Sequence, residues 1–414
     1  MENVKQNYEI ARERYAEMGV DTEAALKQLD KMPLSLHCWQ GDDVGGFEKG
    51  AGALSGGIQT TGNHPGRART LAELRQDLET AMSFVPGPLK VNLHASYIDC
   101  KKKVERDEIA PEHYQSWVDW AKAQKIGLDF NGTFFGHPLS AKTLTSPDEK
   151  IRKFWIDHGK AARKIGAYFG KELKQKAVVN LWIPDGDKDT PADLAAPRAR
   201  LRDSLDQVFK DKYPAAALLD VVESKLFGIG AESYTPGSHE FYMGYAVKHG
   251  IGICLDTGHF HPTECVSDKI SALLMFVPAV LLHLSRGVRW DSDHVLTLTD
   301  EVLAIGREIA RQPQKVCVGL DYFDASINRV AAWVIGARNA KKALLAGLLT
   351  PFARLEKAEA EGNLGERLAL YEENRVMPLG AVWDYYCELH DVAVNGEWIA
   401  AANKYEKSVL LKRK

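Results

Sequence analysis

Eight short apolar runs, each rich in Val, Ile or Leu and each ending in polar residues, most constrain what this chain can fold into. They read LSLHCWQ (34–40), KVNLHASY (90–97), IGLDFNGTF (126–134), AVVNLWIP (177–184), LLDVVESK (218–225), GICLDTGH (252–259), VLLHLSRG (280–287) and VCVGLDYFD (316–324). Near-continuous apolar strands suit a sheet buried on both faces, which in practice means a parallel one. Helix-periodic stretches such as 70–84 and 197–212 separate the runs, so strands and helices alternate as βαβ units. Eight such units predict an α/β fold, a (β/α)8 TIM barrel. A barrel core takes roughly 250 residues, and the chain has 414. The surplus lies at both ends: 1–32 reads as two helices, and nothing after about 328 reads as a strand. The expected organisation is a barrel with N-terminal helices over 1–327 and a helical C-terminal extension over 328–414, of the kind used in oligomerisation.

The composition is that of an ordinary soluble globular protein, 45% hydrophobic and 26% charged, with a net charge of -3. That balance offers no pull toward nucleic acid or an anionic membrane. The N-terminus is charged and helix-periodic, unlike a signal peptide. The longest apolar run, 270–282, is broken by Pro278 and too short to span a bilayer. The six cysteines form no CxxC pair. Cys38, Cys254 and Cys317 sit in apolar runs, as buried free thiols of a reducing cytoplasm would. Nine glycines between Gly41 and Gly66 read either as a mobile lid or as a surface Ω-loop. Phosphate-binding loops and the G-x-S-x-G nucleophile elbow are missing from the sequence.

In a barrel of this kind, chemistry collects at the C-terminal ends of the strands. Those ends carry His37, His94, Asn131, Trp182, Glu223 with Lys225, Asp256 with His259, His283, and Asp321 with Asp324. The second half holds four clusters, the second of which adds His261 and the third Asp291 and Asp293. In an extended segment Asp291 and Asp293 share a side, and carboxylates about 4 Å apart repel by roughly 4 kcal/mol at an effective dielectric near 20. A cation between them removes that cost. Carboxylates and imidazoles without clustered thiols suit Mn²⁺, Mg²⁺, Co²⁺ or Zn²⁺, and the donors suffice for two ions. Each feature also has a plain structural explanation. A strand-end Asp can cap a helix, and a solitary histidine such as His94 can be a hydrogen-bonded structural group. Trp39, Trp182 and Phe134 can be packing residues as well as cavity walls.

The strings HCWQGDDVGGFE, NLHASYID, WIPDGDKD, VESKLFGIGAESYT, GHFHPTE, WDSDHV and GLDYFDASINRVAAWVIG together closely resemble the L-rhamnose isomerase family, over essentially the whole chain. The resemblance implies an aldose–ketose isomerase interconverting L-rhamnose and L-rhamnulose by a metal-assisted hydrogen shift between C1 and C2. It implies a homotetramer and two divalent cations, Mn²⁺ favoured. By motif, Glu223, Asp256, His283 and Asp321 would hold a structural ion, and His259, Asp291 and Asp293 a catalytic one. Lys225 would contact substrate oxygen, Asp321 would assist proton transfer, and His94 would assist ring opening. The rivals are an isomerase of another aldose, a zinc-dependent phosphodiesterase on the same barrel, and a metal-stabilised barrel that only binds.

Overall fold

In the computed structural model, which describes residues 2–50, 52, 54, 58, 61–226, 232–288 and 290–413 (backbone alone for 2 and 290–292), the eight apolar runs become eight parallel strands. Seven follow in order: β1 (Leu34–His37), β2 (Leu89–His94), β3 (Gly127–Thr133), β4 (Ala177–Trp182), β5 (Leu218–Glu223), β6 (Gly252–Asp256) and β7 (Val280–Leu284). An antiparallel hairpin of β8 (Arg286–Val288) and β9 (Trp290–His294) comes next, and β10 (Val316–Leu320) completes the sheet. The sheet closes in the order β1-β10-β7-β6-β5-β4-β3-β2. Closure pairs β10 with both β7 and β1, leaving no open edge.

The helices are α1 (Glu2–Glu17), α2 (Thr22–Leu29), α3 (Leu71–Met82), α4 (Gln115–Gln124), α5 (Glu149–Leu173), α6 (Ala195–Val208), α7 (His239–His249), α8 (Ser267–Leu274), α9 (Asp300–Arg311) and α10 (Arg329–Leu348). They are followed by α11 (Phe352–Ala360), α12 (Leu364–Arg375), α13 (Leu379–Leu389) and α14 (Glu397–Ser408). Several begin where the sequence supplies a cap: the side chains of Thr70, Asp148, Ser238, Thr299 and Asn328 accept backbone N–H groups of the first turn. Those donors have no partner inside the helix. Gly250, at φ +63, ends α7 in the left-handed conformation that glycine adopts at little cost. The two expected N-terminal helices are α1 and α2. Of the 328–414 stretch, α10 packs against α9, α2, α3 and β1, closing the ring as the helix of the eighth unit. The remaining helices lie outside that ring, and α13 packs on α1, with Tyr8 and Tyr385 stacked at 3.8 Å. Among the described residues no helix is long and apolar enough to cross a membrane.

Side chains alternate along each strand. One set, including Leu36, Val91, Leu128, Val179, Leu255 and Leu282, joins the large core shared with the helices. The other set fills the barrel and is largely polar. At its base Lys90 Nζ donates to Asp129 Oδ1 and to the Lys176 carbonyl, both at 2.7 Å. The Val178 N–H donates to the same Asp129 oxygen at 2.8 Å. Above them sits a small apolar plug of Val178, Val221, Cys254 and Leu281. Above the plug the interior turns polar again, and there the strand-end chemistry gathers.

The basal pair is buried, Lys90 7% and Asp129 4% exposed, so removing one partner strands a charge. Asp129→Ala is expected to lower stability by about 3–5 kcal/mol. The double replacement Lys90→Met/Asp129→Leu should cost less. Chemical denaturation of the two variants checks the ordering.

Candidate metal centre

The parallel register sets neighbouring strand ends level. Asp256 on β6 pairs with His283 on β7, and Glu223 on β5 pairs with Cys254 on β6. Asp321 follows β10 directly. As a result, ligand atoms of Glu223, Asp256, His283 and Asp321 all lie within 4.8 Å of one another. His283 Nδ1 stands 3.2 Å from Glu223 Oε2 and 3.1 Å from Asp321 Oδ2. Neither contact has hydrogen-bond geometry: both His283 ring nitrogens and Asp256 Oδ2 are buried without a hydrogen-bond partner. Buried polar atoms are rarely left so. Three carboxyls around one imidazole, with unspent lone pairs turned inward, fit a hard divalent cation.

The electrostatics agree. Burial, with the Asp321 and Glu223 carboxylates beside it, raises Asp256 to about 7. Burial alone would depress His283, but Cys254, Glu223 and Asp321 hold its imidazole well above the usual range. Burial also opposes ionisation of Glu223, yet the imidazoles of His283 and His259 keep its carboxyl well below the ordinary value. The cluster is an excess of negative charge that draws protons when no cation shares it.

The cluster is braced from behind. Ser285 Oγ donates to Asp256 Oδ1 at 3.1 Å and the Gly258 N–H to the same oxygen at 2.7 Å. Asn180 Nδ2 donates to Glu223 Oε2. Trp39 Nε1 donates to Asp321 Oδ1 at 3.1 Å, leaving Oδ2 as the oxygen that faces His283. Read from the sequence, Trp39 was only a wall or packing residue; its hydrogen bond to Asp321 appears only in the fold. The signal for Asn180 was available: it is a polar residue in the apolar run AVVNLW.

His259 sits beside the cluster. Its Nδ1 lies 2.9 Å from Glu223 Oε1 and 3.0 Å from the Ser224 carbonyl, and its Nε2 lies 3.9 Å from Asp256 Oδ2. Asp293 belongs to β9, folded back over the barrel mouth. Its carbonyl accepts the Phe323 N–H at 3.3 Å, and its φ of +46 is a left-handed conformation seldom adopted outside glycine. The Asp291 side chain lies outside the described residues, as do residues 227–231 of the motif around Lys225. One cavity is lined by Glu223, Lys225, His259, Asp293 and Asp321 together with His94 and Asn131. Trp39, Phe135, Trp182 and Phe323 supply aromatic walls, and Val44 and Ile58 an aliphatic one. Lys225 Nζ stands 4.8 Å over the Trp182 ring, a cation–π distance.

Other strand-end candidates go elsewhere. Asp324 Oδ1 accepts the Ser326 N–H at 2.8 Å and its hydroxyl at 2.5 Å, forming a turn. His261 is exposed and pairs with Thr263 Oγ1 at 2.7 Å. His37 is fully buried against Trp39 and Tyr322. The glycine-rich loop is tethered on both flanks. Arg329 grips Asp43 with two nitrogens at 2.8 and 2.7 Å, Arg106 pairs with Glu48, and Thr61 O and His64 N bond to Ala325. Residues 51, 53, 55–57, 59 and 60 between the tethers lie outside the described residues.

His94 is cradled by β3. Thr133 Oγ1 accepts the Ala95 N–H at 2.9 Å and lies 3.0 Å from His94 Nδ1. The direction of the His94–Thr133 bond follows the imidazole tautomer: with the Thr133 hydroxyl as donor, His94 carries its own proton on Nε2. Burial, with Arg106 nearby, pushes His94 down to about 3, leaving it neutral.

The comparisons with known proteins agree with the geometry. The chain matches the L-rhamnose isomerase (RhaA) family over residues 2–413. It is 57% identical over 414 residues to the L-rhamnose isomerases of Salmonella paratyphi B and Salmonella heidelberg, covering 99% of this chain and 99% of each relative. Among solved structures it resembles D-psicose 3-epimerase from Clostridium cellulolyticum H10 with a TM-score of 0.45 and 14% identity, over 76% of this chain and 98% of that one. With four ligand groups meeting at the strand ends and a full-length match at this identity, the chain belongs to the L-rhamnose isomerase family.

Proposed function

We propose that this chain interconverts L-rhamnose and L-rhamnulose by moving hydrogen between C1 and C2, using divalent cations held at the strand ends. The observation that carries the proposal is the meeting of Glu223, Asp256, His283 and Asp321 within 4.8 Å of one another, with Glu223 and Asp321 also lining the aromatic-walled cavity. These four would hold one ion, and His259, Asp291 and Asp293 a second. The family resemblance favours Mn²⁺ there; the carboxylate and imidazole donors also accept Zn²⁺, Co²⁺ or Mg²⁺. A bound dication supplies Lewis-acid polarisation of the sugar carbonyl and its neighbouring hydroxyl.

The protein's own groups do the rest. Lys225, on the cavity wall, donates hydrogen bonds to substrate oxygen and balances charge developing there. His94 offers its neutral Nε2–H to the ring oxygen, orienting the sugar for opening as a hydrogen-bond donor rather than as an imidazolium. Asp321 is fixed by Trp39 through one oxygen, which leaves the other to the cation and to proton movement between O1 and O2. The aromatic and aliphatic walls exclude water and suit the apolar C6 methyl of a 6-deoxy sugar. Cys38 and Cys254 are buried free thiols as expected, Cys317 is only half-buried, and Cys387 is buried as well; these thiols support a reducing, cytoplasmic setting. The helices after α10 are our candidate surface for tetramer assembly.

A coupled assay for ketose formed from L-rhamnose tests the reading. Turnover should vanish after EDTA treatment and return with Mn²⁺; ketose formation indifferent to metal, or confined to other aldoses, would overturn it. Asp293→Ala should abolish turnover with the circular dichroism spectrum retained. Glu223→Ala should in addition lower Tm, because it removes a ligand from the cluster; unchanged melting would contradict that division of roles. Trp39→Phe keeps the ring and deletes the donor to Asp321. It should weaken Mn²⁺ binding about 10–100-fold, read from the paramagnetic resonance of free Mn²⁺. An unaltered Kd would remove Trp39 from this role.

A further inference from the structure

The hard four-ligand position has a soft neighbour directly beneath it. Cys254 lies two residues before Asp256 on β6, so both side chains enter the barrel, one step apart. The strand register sets Cys254 level with Glu223. Ligand atoms of Glu223, Cys254 and His283 lie within 4.8 Å of one another, and all three residues are buried. Cys254 is 0% exposed and packs within the apolar plug of Val178, Val221 and Leu281. The His283 side chain, 1% exposed, has no hydrogen-bond partner on either ring nitrogen, so its lone pair is available to an ion at either position.

We propose that Glu223, Cys254 and His283 form a second, thiophilic cation position, which takes Zn²⁺, Cd²⁺ or Co²⁺ in place of the harder ion bound with Asp256 and Asp321. The proposal rests on the metal reading above and extends it to metal choice. A carboxylate, an imidazole and a thiolate are the donor set that softer ions favour, whereas Mn²⁺ and Mg²⁺ favour oxygen. Glu223 and His283 are common to both positions, so the two are alternatives. A soft ion drawn down to Cys254 leaves Asp256 and Asp321 without the cation that offsets their repulsion. When the sulfur–metal bond forms, the thiol proton passes to solvent and no oxidation state changes. The cysteine thereby makes the enzyme susceptible to the wrong metal, and the apolar plug keeps the thiol out of reach of larger reagents.

The experiment uses the full chain, stripped of metal and titrated separately with Co²⁺ and Cd²⁺ while absorption across the whole ultraviolet is recorded. The parent should develop a thiolate-to-metal charge-transfer band that saturates at one ion per chain. Cys254→Ser should lack the band, and its Cd²⁺ affinity relative to Mn²⁺ should fall at least roughly tenfold. Cys254→Ala, matched to the apolar surroundings, serves if the serine variant does not fold. A band that persists in the variants, arising from any of the other five cysteines, overturns the proposal, as does a parent without a band. If the stripped parent binds Mn²⁺ but gives no band, the soft position alone falls. If it binds neither ion, the metal reading falls with it.

Discussion

Three carboxyl groups and an imidazole pressed together at the mouth of a closed parallel sheet are the arrangement on which the rest of this structure depends. Left in contact, such groups repel one another and lose hydration. The fold holds them there because each is anchored at or just beyond the end of a strand whose neighbours fix its height. Register therefore acts as a chemical constraint. A slip of one residue in β6 would turn Asp256 toward the helices and bring an apolar side chain inward. The bracing groups, Asn180, Ser285, the Gly258 amide and Trp39, occupy the outer lone pairs and leave the inner ones for a cation.

The loops at the same end are tied together rather than left open. Gln40 pairs through its amide with both backbone groups of Asp324, at 2.8 and 2.7 Å, joining the segment after β1 to the one after β10. Arg106 donates to the Thr133 and Phe135 carbonyls at 2.6 and 2.5 Å while it pairs with Glu48. These ties hold a backbone that is locally unfavourable: Asp43, Val44 and Asp293 have φ of +56, +61 and +46. For a β-branched residue such as Val44 this is a true outlier. Strain of this kind persists where the surroundings over-determine it, and here Val44 and Asp293 both line the cavity.

The barrel interior is thus divided along its axis. The Lys90–Asp129 pair closes the base, a thin apolar plug separates the two polar zones, and the ligand cluster occupies the top. The plug's isolation from the large core between sheet and helices follows from the alternation of side chains along the strands. Stability is drawn mainly from the outer layer, which leaves the inner one available for chemistry.

Much of this was legible in the sequence. The eight apolar runs specified the strands because burial on both faces leaves few polar positions, and their polar ends marked where ligands gather. Family resemblance supplied the division into two ion sites, which spacing alone did not. What the sequence could not rank was which strand-end groups turn inward. Asp324 and His261 carry the same chemistry as Asp321 and His259, yet local hydrogen bonds to Ser326 and Thr263 hold them outside the site. Likewise α10 reads like the helices that follow it, and only packing makes it part of the ring. The Trp39–Asp321 bond joins residues 282 positions apart, and no local pattern encodes such a pair. Side-chain period and residue type therefore determined the architecture and the donors available. Barrel closure decided which donors meet, because it alone brings β10 beside β1 and sets the strand ends level.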